Sequence, residues 1–334
     1  MSTKPFEILA IETSCDDTGI ALVECSGGLK KPSFKILADV VSTQIDIHRP
    51  FGGVVPTLAK REHIKNLPIV YHQILQKLKI ENCKLKIDCV AVTVGPGLEP
   101  ALWAGINFAE ELGKKLEVPV VGANHLEGHI YSNWLNQNPK LPAIVLIVSG
   151  GHTILLLMKS LTKWQVLGET RDDAVGEAFD KVAKMLNLPY PGGPEVEKFA
   201  LKGKSKAINF PRPMKYDKNY DFSFSGLKTS VLYYLRDHKR INKSNVCASF
   251  QEAAVDVLVY KTMKAVKEFG VESILLCGGV AANKFLQASA NFYVPPFKYN
   301  TDNAVMIAAA AYMNHLQAKK YPLEANGNLS IYAK

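Results

Sequence analysis

Strands that run into glycine-containing turns occur in both halves of the chain. The strands are Ile8 to Ile11, Ala143 to Val148 and Ser273 to Cys277, and their turns contain Gly19, Gly150-Gly151 and Gly278-Gly279. The first two turns each lead into a second apolar run, a pattern typical of a β-hairpin. Because the plan recurs, it predicts an internal duplication in preference to one continuous sheet.

Helical periodicity fills much of the sequence between these strands. From Pro56 to Leu78 the spacing of the apolar residues predicts a helix with one buried face, and these residues are Ile64, Leu67, Tyr71, Ile74 and Leu78. Strands that alternate with helices indicate an α/β architecture. The break at Asn138 to Pro142 predicts two lobes, residues 1–138 and 139–301, with a final helix over 302–320 that packs back on the first lobe.

Composition excludes several broad classes. The 334 residues are 47% hydrophobic and 21% charged, which is ordinary for a globular protein with a substantial core. The longest apolar runs are far shorter than the roughly 18 to 20 residues needed to span a bilayer, and the first residues show no signal-peptide pattern. Six cysteines without a Cys-x-x-Cys pair are expected to be reduced. We therefore expect a soluble, cytoplasmic protein.

The formal charge of +9 suits a polyanionic partner, because contacts to phosphates release counterions. Two basic clusters are candidates for such contacts: Lys202, Lys204, Lys206, Arg212, Lys215 and Lys218, followed by Arg236, Lys239, Arg240 and Lys243. A lysine-rich, solvated surface explains the same charge, and both interpretations stay open.

A histidine pair, His125 and His129, is the strongest candidate for chemistry. Residues four apart lie on one helical face, so both imidazoles can reach one metal ion, and a remote carboxylate such as Asp302 could complete the site. A chance pair of buried histidines is the plain alternative. A zinc protease is excluded, because Leu126 occupies the place of its general base and Glu127 lies about 200° around the helix from His125.

The glycine turns are candidates for binding phosphate. Successive backbone N–H groups without an obstructing side chain form a cradle for phosphate oxygens, although a pair of glycines is more often only a turn. Asn283, which follows Gly278-Gly279 at a helix start, has an N-cap as its alternative role.

Ten blocks of the sequence together resemble one family, the universal tRNA threonylcarbamoyladenosine transferases, and within it the bacterial TsaD form. They are Ile11 to Gly19, Phe51 to Pro56, Gly95 to Leu98, His125 to His129, Val148 to Thr153, Gly176 to Lys181, Tyr190 to Pro194, Phe222 to Thr229, Gly278 to Asn283 and Thr301 to Asn303. They are collinear over nearly the whole chain. Asn300, Ala304 and Gln287 depart from the residues that are common there, which are Cys, Gly and Arg.

The resemblance implies a two-lobed actin-like ATPase (ASKHA) fold with duplicated ribonuclease-H-like domains. It implies transfer of the threonylcarbamoyl group from threonylcarbamoyl-adenylate to the N6 amine of the adenosine beside the anticodon, in tRNAs reading codons that begin with A, with release of AMP. It also implies a TsaB-like paralogue and a TsaE-like ATPase as partners. The predicted helix from Pro56 to Leu78 is their candidate docking face, with ordinary core packing as the alternative.

Carried over by motif, the resemblance implies roles for individual residues. It assigns one divalent metal, with Fe²⁺ the first candidate and Zn²⁺ the second, to His125, His129 and Asp302. It assigns the adenylate to Ile147, Val148, Ser149, Gly150, Gly151, Asp180, Gly193, Glu197 and Asn283. Asp16 and Asp17 are candidates for the base or for positioning the acceptor, and stabilising the hairpin turn is their alternative role.

Two other functions compete with this reading. A non-catalytic scaffold of the same fold typically lacks the histidine pair, which this chain keeps. Carbamoyltransferases that act on small molecules share the lobe plan, but they carry a large extra domain for which 334 residues leave no room.

Overall fold

The computed structural model describes residues 5–79 and 85–331. These residues form two compact units, one from Met1–Asn138 together with Thr301–Lys334 and one from Pro139–Asn300. The five cysteines in the described part are free thiols, and Cys83 lies outside it. No helix within the described ranges is long and apolar enough to cross a membrane.

The first unit is built on a five-stranded sheet. Its strands are β1 (Phe6–Glu12), β2 (Asp17–Gly28), β3 (Lys31–Thr43), β4 (Cys89–Gly95) and β5 (Val120–Asn124). Their order is β3-β2-β1-β4-β5, with antiparallel pairing from β3 to β1 and parallel pairing from β1 to β5. Every residue of β4 is buried, and all but Thr93 and the terminal Gly95 are apolar, because a central parallel strand is covered on both faces.

The hairpin of β1 and β2 confirms the first predicted turn, with a shorter tip. Asp17 already belongs to β2, where it pairs with Thr43 of β3. The tip is therefore only Thr13 to Asp16.

Four helices of this unit precede the second unit in the chain. They are α1 (Ile45–His48), α2 (Pro56–Lys77), α3 (Glu99–Leu116) and α4 (His125–Tyr131), with short 3-10 turns at Arg49–Phe51 and Ser132–Trp134. Leu67, Tyr71 and Ile74 of α2 are buried as predicted, but the prediction for Ile64 is wrong, because this side chain is 55% exposed. His63 is buried in its place, and its ring nitrogens bond to the hydroxyl of Thr18 (2.8 Å) and the carbonyl of Cys15 (3.0 Å). Because of these polar contacts, the buried face of α2 includes His63 and not Ile64.

The last helix, α10 (Ala304–Leu316), belongs to the first unit and packs against its sheet and against α4. It starts two residues later than predicted and ends earlier. Asn303 is its N-cap, since the side-chain oxygen accepts a hydrogen bond from the amide of Met306 (3.0 Å). Asp302 therefore lies just before the cap.

The second unit repeats the plan of the first. Its strands are β6 (Ala143–Val148), β7 (Thr153–Ser160), β8 (Lys163–Glu169) and β9 (Ser273–Cys277), in the order β8-β7-β6-β9. As in the order β3-β2-β1-β4, an antiparallel meander is followed by one parallel strand. The matching topologies confirm the predicted α/β duplication.

Five helices surround this second sheet and complete its core. They are α5 (Val175–Met185), α6 (Gly192–Ala200), α7 (Ser225–Asp237), α8 (Lys243–Phe269) and α9 (Lys284–Gln287), with 3-10 turns at Gly279–Ala282 and Phe297–Tyr299. Buried side chains of α5 and α8, such as Phe179 and Phe250, meet edge to face with ring centroids 5.0 Å apart. The long α8 also supports the loops that lead to the candidate nucleotide residues.

Candidate metal centre and nucleotide-binding residues

The short helix α4 carries both histidines. Its N-cap is Asn124 at the end of β5, whose side-chain oxygen accepts hydrogen bonds from the amides of Leu126 (2.9 Å) and Glu127 (3.3 Å). The helix is buried along its whole length. One turn of it brings the rings of His125 and His129 together, with centroids 4.7 Å apart.

Asp302 meets both histidines. Its Oδ1 lies 3.4 Å from Nε2 of His125 and 3.3 Å from Nε2 of His129, and all three ligand atoms lie within 4.8 Å of one another. A charge-assisted hydrogen bond is shorter, about 2.7 to 2.9 Å. Two ligands that each lie about 2.1 Å from a tetrahedral ion are about 3.4 Å apart. The two distances from Asp302 to the histidines are thus close to those between ligands of one cation.

His129 provides a second sign that the three residues fit a metal. The ring is fully buried, its Nδ1 has no hydrogen-bond partner among the described residues, and its Nε2 makes only a long approach of 3.3 Å to Asp302. An unpaired buried polar group costs about 1 to 3 kcal/mol, a cost that coordination to a metal removes. Burial also lowers the pKa of His129, which favours the neutral, ligating form.

Glu12 contacts the second ring nitrogen of His125, Nδ1. The sequence did not identify Glu12 as a site residue. Its Oε2 lies 3.0 Å from Nδ1 of His125 and accepts a hydrogen bond from the hydroxyl of Thr93 (2.7 Å). Its Oε1 accepts the amide of Ser14, whose hydroxyl also lies 3.1 Å from Nδ1 of His125. A carboxylate on the far nitrogen orients a ligating histidine and makes it more basic. The only sequence signal was a charged residue directly after the apolar run Ile8 to Ile11, and the structure shows that this residue is fully buried.

The pKa values of His125 and Asp302 depend strongly on the neighbouring charges. Burial alone would lower the pKa of His125, but the carboxylates of Asp302 and Glu12 outweigh it and raise this pKa to about 10. Burial tends to raise the pKa of Asp302, yet the two histidines hold it well below its usual range. A proton and a metal ion therefore compete for the same position between His125 and Asp302.

Asp16 and Asp17 lie within electrostatic range of Asp302. Burial raises the pKa of Asp16, and the charge of Asp302 adds to the effect. Burial, Asp16 and Asp302 raise the pKa of Asp17 to about 7. One carboxyl oxygen of Asp17, Oδ1, is buried without a hydrogen-bond partner in the described chain. The structure thus brings both candidates to the metal side of the first unit, and their role stays a prediction.

Glu127 has a structural role instead. Its Oε1 accepts hydrogen bonds from the ammonium of Lys319 and from the hydroxyl of Tyr321 (2.8 Å). The carboxylate is fully buried. Glu127 thus anchors the segment after α10, which agrees with the exclusion of a protease from the sequence.

In the second unit, the tip between β6 and β7 contains the candidate phosphate cradle. The amide of Ser149 donates to the carbonyl of His152 (2.8 Å), and the amide of Gly176 donates to the carbonyl of Ser149 (3.2 Å). A Cβ on Gly150 or Gly151 would meet no atom within 4 Å, so the backbone there is open to a ligand. Ile147 and Val148 are fully buried in β6 and can offer only backbone groups.

The predicted sugar-side residues lie around α6. Asp180 accepts the amide of Gly192 at the helix start (2.7 Å), and a Cβ on the next residue, Gly193, would meet open space. Glu197, one turn further along, accepts the amide of Lys284 (2.7 Å). Each carboxylate therefore accepts a backbone amide, and a carboxylate can accept more than one hydrogen bond.

Asn283 has the alternative role that the sequence left open. Its oxygen accepts the amide of Leu286 (2.9 Å) and so caps α9, while its amide nitrogen donates to Gln251 of α8 (2.8 Å). Beside these residues is a cavity of about 590 Å³, whose lining includes Glu197, Gln251 and Lys284. This volume is in the range of ligand pockets. Nothing in the sequence pattern singled out Gln251.

Comparisons with known proteins agree on one family. A family profile described as "TsaD: tRNA N6-adenosine threonylcarbamoyltransferase" matches residues 35–309. A tRNA N6-adenosine threonylcarbamoyltransferase of Thermosipho melanesiensis is 48% identical, covering 97% of this chain and 99% of the relative. A protein of the same description from Geobacillus thermodenitrificans is 44% identical over 96% and 95% of the two chains.

Solved structures show the same fold at low identity. The chain superposes on HypF of T. kodakarensis with a TM-score of 0.59 and 15% identity, covering 94% of this chain and 48% of HypF. Component A of the (R)-2-hydroxyglutaryl-CoA dehydratase of Acidaminococcus fermentans gives a TM-score of 0.54 at 13% identity, over 93% and 99% of the chains. Both neighbours have the actin-like ATPase fold, which confirms the predicted fold class.

Proposed function

Because the chain belongs to the tRNA N6-adenosine threonylcarbamoyltransferase family, and is thus an acyltransferase that modifies tRNA, we propose the full reaction. The threonylcarbamoyl group passes from threonylcarbamoyl-adenylate to the N6 amine of the adenosine beside the anticodon, in tRNAs that read codons beginning with A, and AMP leaves. The observation that carries this proposal is the cluster of His125, His129 and Asp302, in which Glu12 holds His125.

The three ligands would hold one divalent ion per subunit, with Fe²⁺ the first candidate and Zn²⁺ the second. Three protein donors are the number typical of catalytic sites, whereas structural sites usually have four, and two imidazoles with one carboxylate suit either ion. When bound, the ion supplies Lewis acidity toward the carbonyl of the threonylcarbamoyl group. Glu12, Ser14 and Thr93 fix the ring of His125 for this purpose.

The second unit would bind the adenylate. Open backbone at Gly150 and Gly151 can donate N–H groups to the phosphate as AMP takes on charge while leaving. Asp180 and Glu197 would accept hydrogen bonds from ribose hydroxyls, beside Gly193 and Asn283. Backbone groups would also come from the end of β6 and its tip, at Ile147, Val148 and Ser149.

The acceptor amine of adenine is a poor nucleophile, so positioning should supply much of the rate. Asp16 and Asp17 are the candidates for this positioning in the first unit. With its raised pKa, Asp17 is partly protonated near neutrality and can donate or accept a hydrogen bond.

Partners complete the proposal. A TsaB-like paralogue and a TsaE-like ATPase would act with this chain in the cytoplasm, where its tRNA substrate is found. One face of α2 packs in the core, and Ile64 and Ile69 on the same helix are 55% and 50% exposed. These two residues support docking on the outer face of α2, so that core packing and docking use different faces of one helix.

Reconstitution tests the reaction. Threonylcarbamoyl-adenylate, the partner proteins and unmodified tRNA are incubated with wild type, His125→Ala or the control His315→Ala, and the digested nucleosides are analysed by mass. His315 is an exposed histidine of α10 that stacks on Phe6. We expect threonylcarbamoyladenosine with wild type and His315→Ala and a loss of at least about 100-fold with His125→Ala, as expected when a ligand of a catalytic metal is removed. Full activity of His125→Ala, or no product with wild type, contradicts the proposal.

A further inference from the structure

The two basic clusters of the second unit differ in how much of their charge is free. Arg212 and Lys215 both bind the carboxylate of Asp256 at 2.7 Å, and Arg236 pairs with Asp237. By contrast, six residues are exposed and have no carboxylate partner among the described residues: Lys202, Lys204, Lys206, Lys218, Lys239 and Arg240. Apart from Lys218, this uncompensated charge lies in two short segments, residues 202–206 and 239–240.

The fold brings these two segments together at the start of α8. The second segment runs directly into this helix through Lys243. The first segment is fastened to the same turns, since the amide of Lys204 donates to the side chain of Asn245 (2.9 Å) and the hydroxyl of Ser249 donates to the carbonyl of Lys204 (3.3 Å). Gly203 touches the backbone of Ser244 so closely that a Cβ would lie 2.0 Å from its carbonyl oxygen. The lysines therefore stand on a fixed loop.

The same loop forms a wall of the cavity beside Glu197. Gly203 and Ser205 line this cavity, and the exposed residues Lys202, Lys204 and Lys206 alternate with them along the chain. The positive charge thus lies at the rim of a pocket that one candidate adenylate residue, Glu197, also lines. A nucleic acid bound there would be held next to Glu197.

We propose that Lys202, Lys204, Lys206, Lys239, Arg240 and Lys243 form one surface, the α8 basic rim, that binds the phosphate backbone of tRNA. This inference rests on the proposed function, because it takes tRNA as the substrate. Lysines on a fixed loop, without competing carboxylates, provide the point charges that phosphates recognise, and they need no base contacts to position an RNA. Exposed Tyr233, with the Arg236 guanidinium 4.7 Å from its ring centroid, adds an aromatic surface on α7, just before the second segment.

The test compares two triple variants of the full-length protein. Lys202→Gln, Lys204→Gln and Lys206→Gln remove the charge of the first segment, while Lys86→Gln, Lys114→Gln and Lys115→Gln remove three exposed lysines of the first unit as a matched control. Binding of unmodified tRNA is measured from about 50 to 200 mM salt, a range over which phosphate contacts change affinity strongly. AMP binding and thermal unfolding are measured on the same samples.

We expect the rim variant to bind tRNA about tenfold more weakly, with a salt slope smaller by about two to three, because each lost phosphate contact lowers the slope by about 0.7 to 0.9. Its affinity for AMP and its melting temperature should equal those of wild type, and the control should bind tRNA normally. Equal tRNA affinity in the two triple variants overturns the proposal. A loss of AMP affinity with tRNA binding intact also overturns it, because the rim would then serve the nucleotide phosphate.

These outcomes distinguish a failure of the surface assignment from a failure of the proposed reaction. If wild type forms threonylcarbamoyladenosine while the rim variant binds tRNA normally, only the surface assignment fails. If wild type neither binds nor modifies tRNA, the proposed function itself fails.

Discussion

Glu12 Oε2 lies 3.0 Å from Nδ1 of His125, and this contact links the end of β1 to the start of α4. The glutamate is fully buried and its two oxygens are held by Thr93 and Ser14. Its position fixes the ring of His125 so that Nε2 faces Asp302. The proposed metal centre would therefore depend on a residue that is not one of its three candidate ligands.

We expect Glu12→Gln to weaken metal binding by about 10- to 100-fold, the usual effect of removing the partner of a ligating histidine. Competition with a chromophoric chelator measures this affinity without any need for activity. Glu24→Gln serves as the control, since the side chain of Glu24 in β2 forms an ion pair with Lys35 at 3.5 Å and, within the described part of the chain, does not contact the histidines. Unchanged metal affinity in Glu12→Gln would show that the contact does not support the ligand.

Glu127→Ala should lower stability without removing the metal. The substitution leaves the buried hydroxyl of Tyr321 without its acceptor, which costs about 1 to 3 kcal/mol, while the partly exposed ammonium of Lys319 can be solvated. Urea unfolding gives the change in the free energy of unfolding, and metal analysis of the purified variant gives the metal content. A variant of normal stability that loses its metal would contradict the structural role assigned to Glu127.

Substitution at the β6–β7 tip should separate ligand binding from folding. An alanine at Gly150 meets no protein atom within 4 Å, whereas the Cβ of alanine at Gly176 would lie 2.5 Å from the carbonyl oxygen of Ser149. We expect Gly150→Ala to keep its melting temperature and to bind AMP about tenfold more weakly, which corresponds to about 1.4 kcal/mol. Gly176→Ala should lose about 1 to 3 kcal/mol of stability through overpacking.

Calorimetry and thermal unfolding of the two variants measure these effects. Normal AMP affinity in Gly150→Ala would remove this tip from the proposed adenylate site.

Asp173 should contribute to stability in a pH-dependent way. Burial tends to raise its pKa, but hydrogen bonds from Lys228 and Lys181 outweigh this and lower it. Because the folded-state pKa is below the ordinary value of about 3.9, the contribution is fully present above about pH 4 and is lost as the pH falls through the folded-state pKa. Asp173→Asn should therefore unfold with a weaker pH dependence below about pH 4 than wild type. Parallel acid titrations of the two proteins would disprove this.

Docking of the TsaB-like paralogue should depend on the outer face of α2. Ile64→Asp with Ile69→Asp places two charges on exposed apolar positions, and we expect at least about a tenfold loss of association, since charges are depleted from interface cores. Leu29→Asp, at a 38% exposed position outside α2, is the control. Analytical ultracentrifugation with the purified paralogue measures the complex, and equal association of both variants would exclude this face.

The sequence predicted what depends on local periodicity, and it failed where distant polar contacts decide. The hairpins, the α/β duplication and the helix that carries His125 and His129 follow from short patterns. Ile64 was wrongly predicted in the core because His63 is buried instead, through hydrogen bonds to Thr18 and Cys15. Glu12 was missed because its partner His125 is remote in sequence, and no spacing rule connects the two.

The basic clusters also could not be told apart from the sequence. Their lysines and arginines look equivalent there, yet Arg212 and Lys215 form ion pairs with Asp256. The lysines on the preceding loop have no carboxylate partner among the described residues. Asp256 lies more than 40 residues after the two residues that it pairs with, so no local pattern predicts these ion pairs. The start of the last helix was misplaced for a local reason, because Asn303 and not Asp302 caps it through the amide of Met306.

Asp302 is encoded after the whole of Pro139–Asn300, whereas His125 and His129 precede that unit. During synthesis on a ribosome, the two histidines therefore emerge long before Asp302, and the proposed centre cannot be complete until residues 139–300 have been made. A nascent chain that ends before Asp302 would offer a metal two imidazoles at most. Selective retention of an ion would thus be acquired only after the second unit has been synthesised.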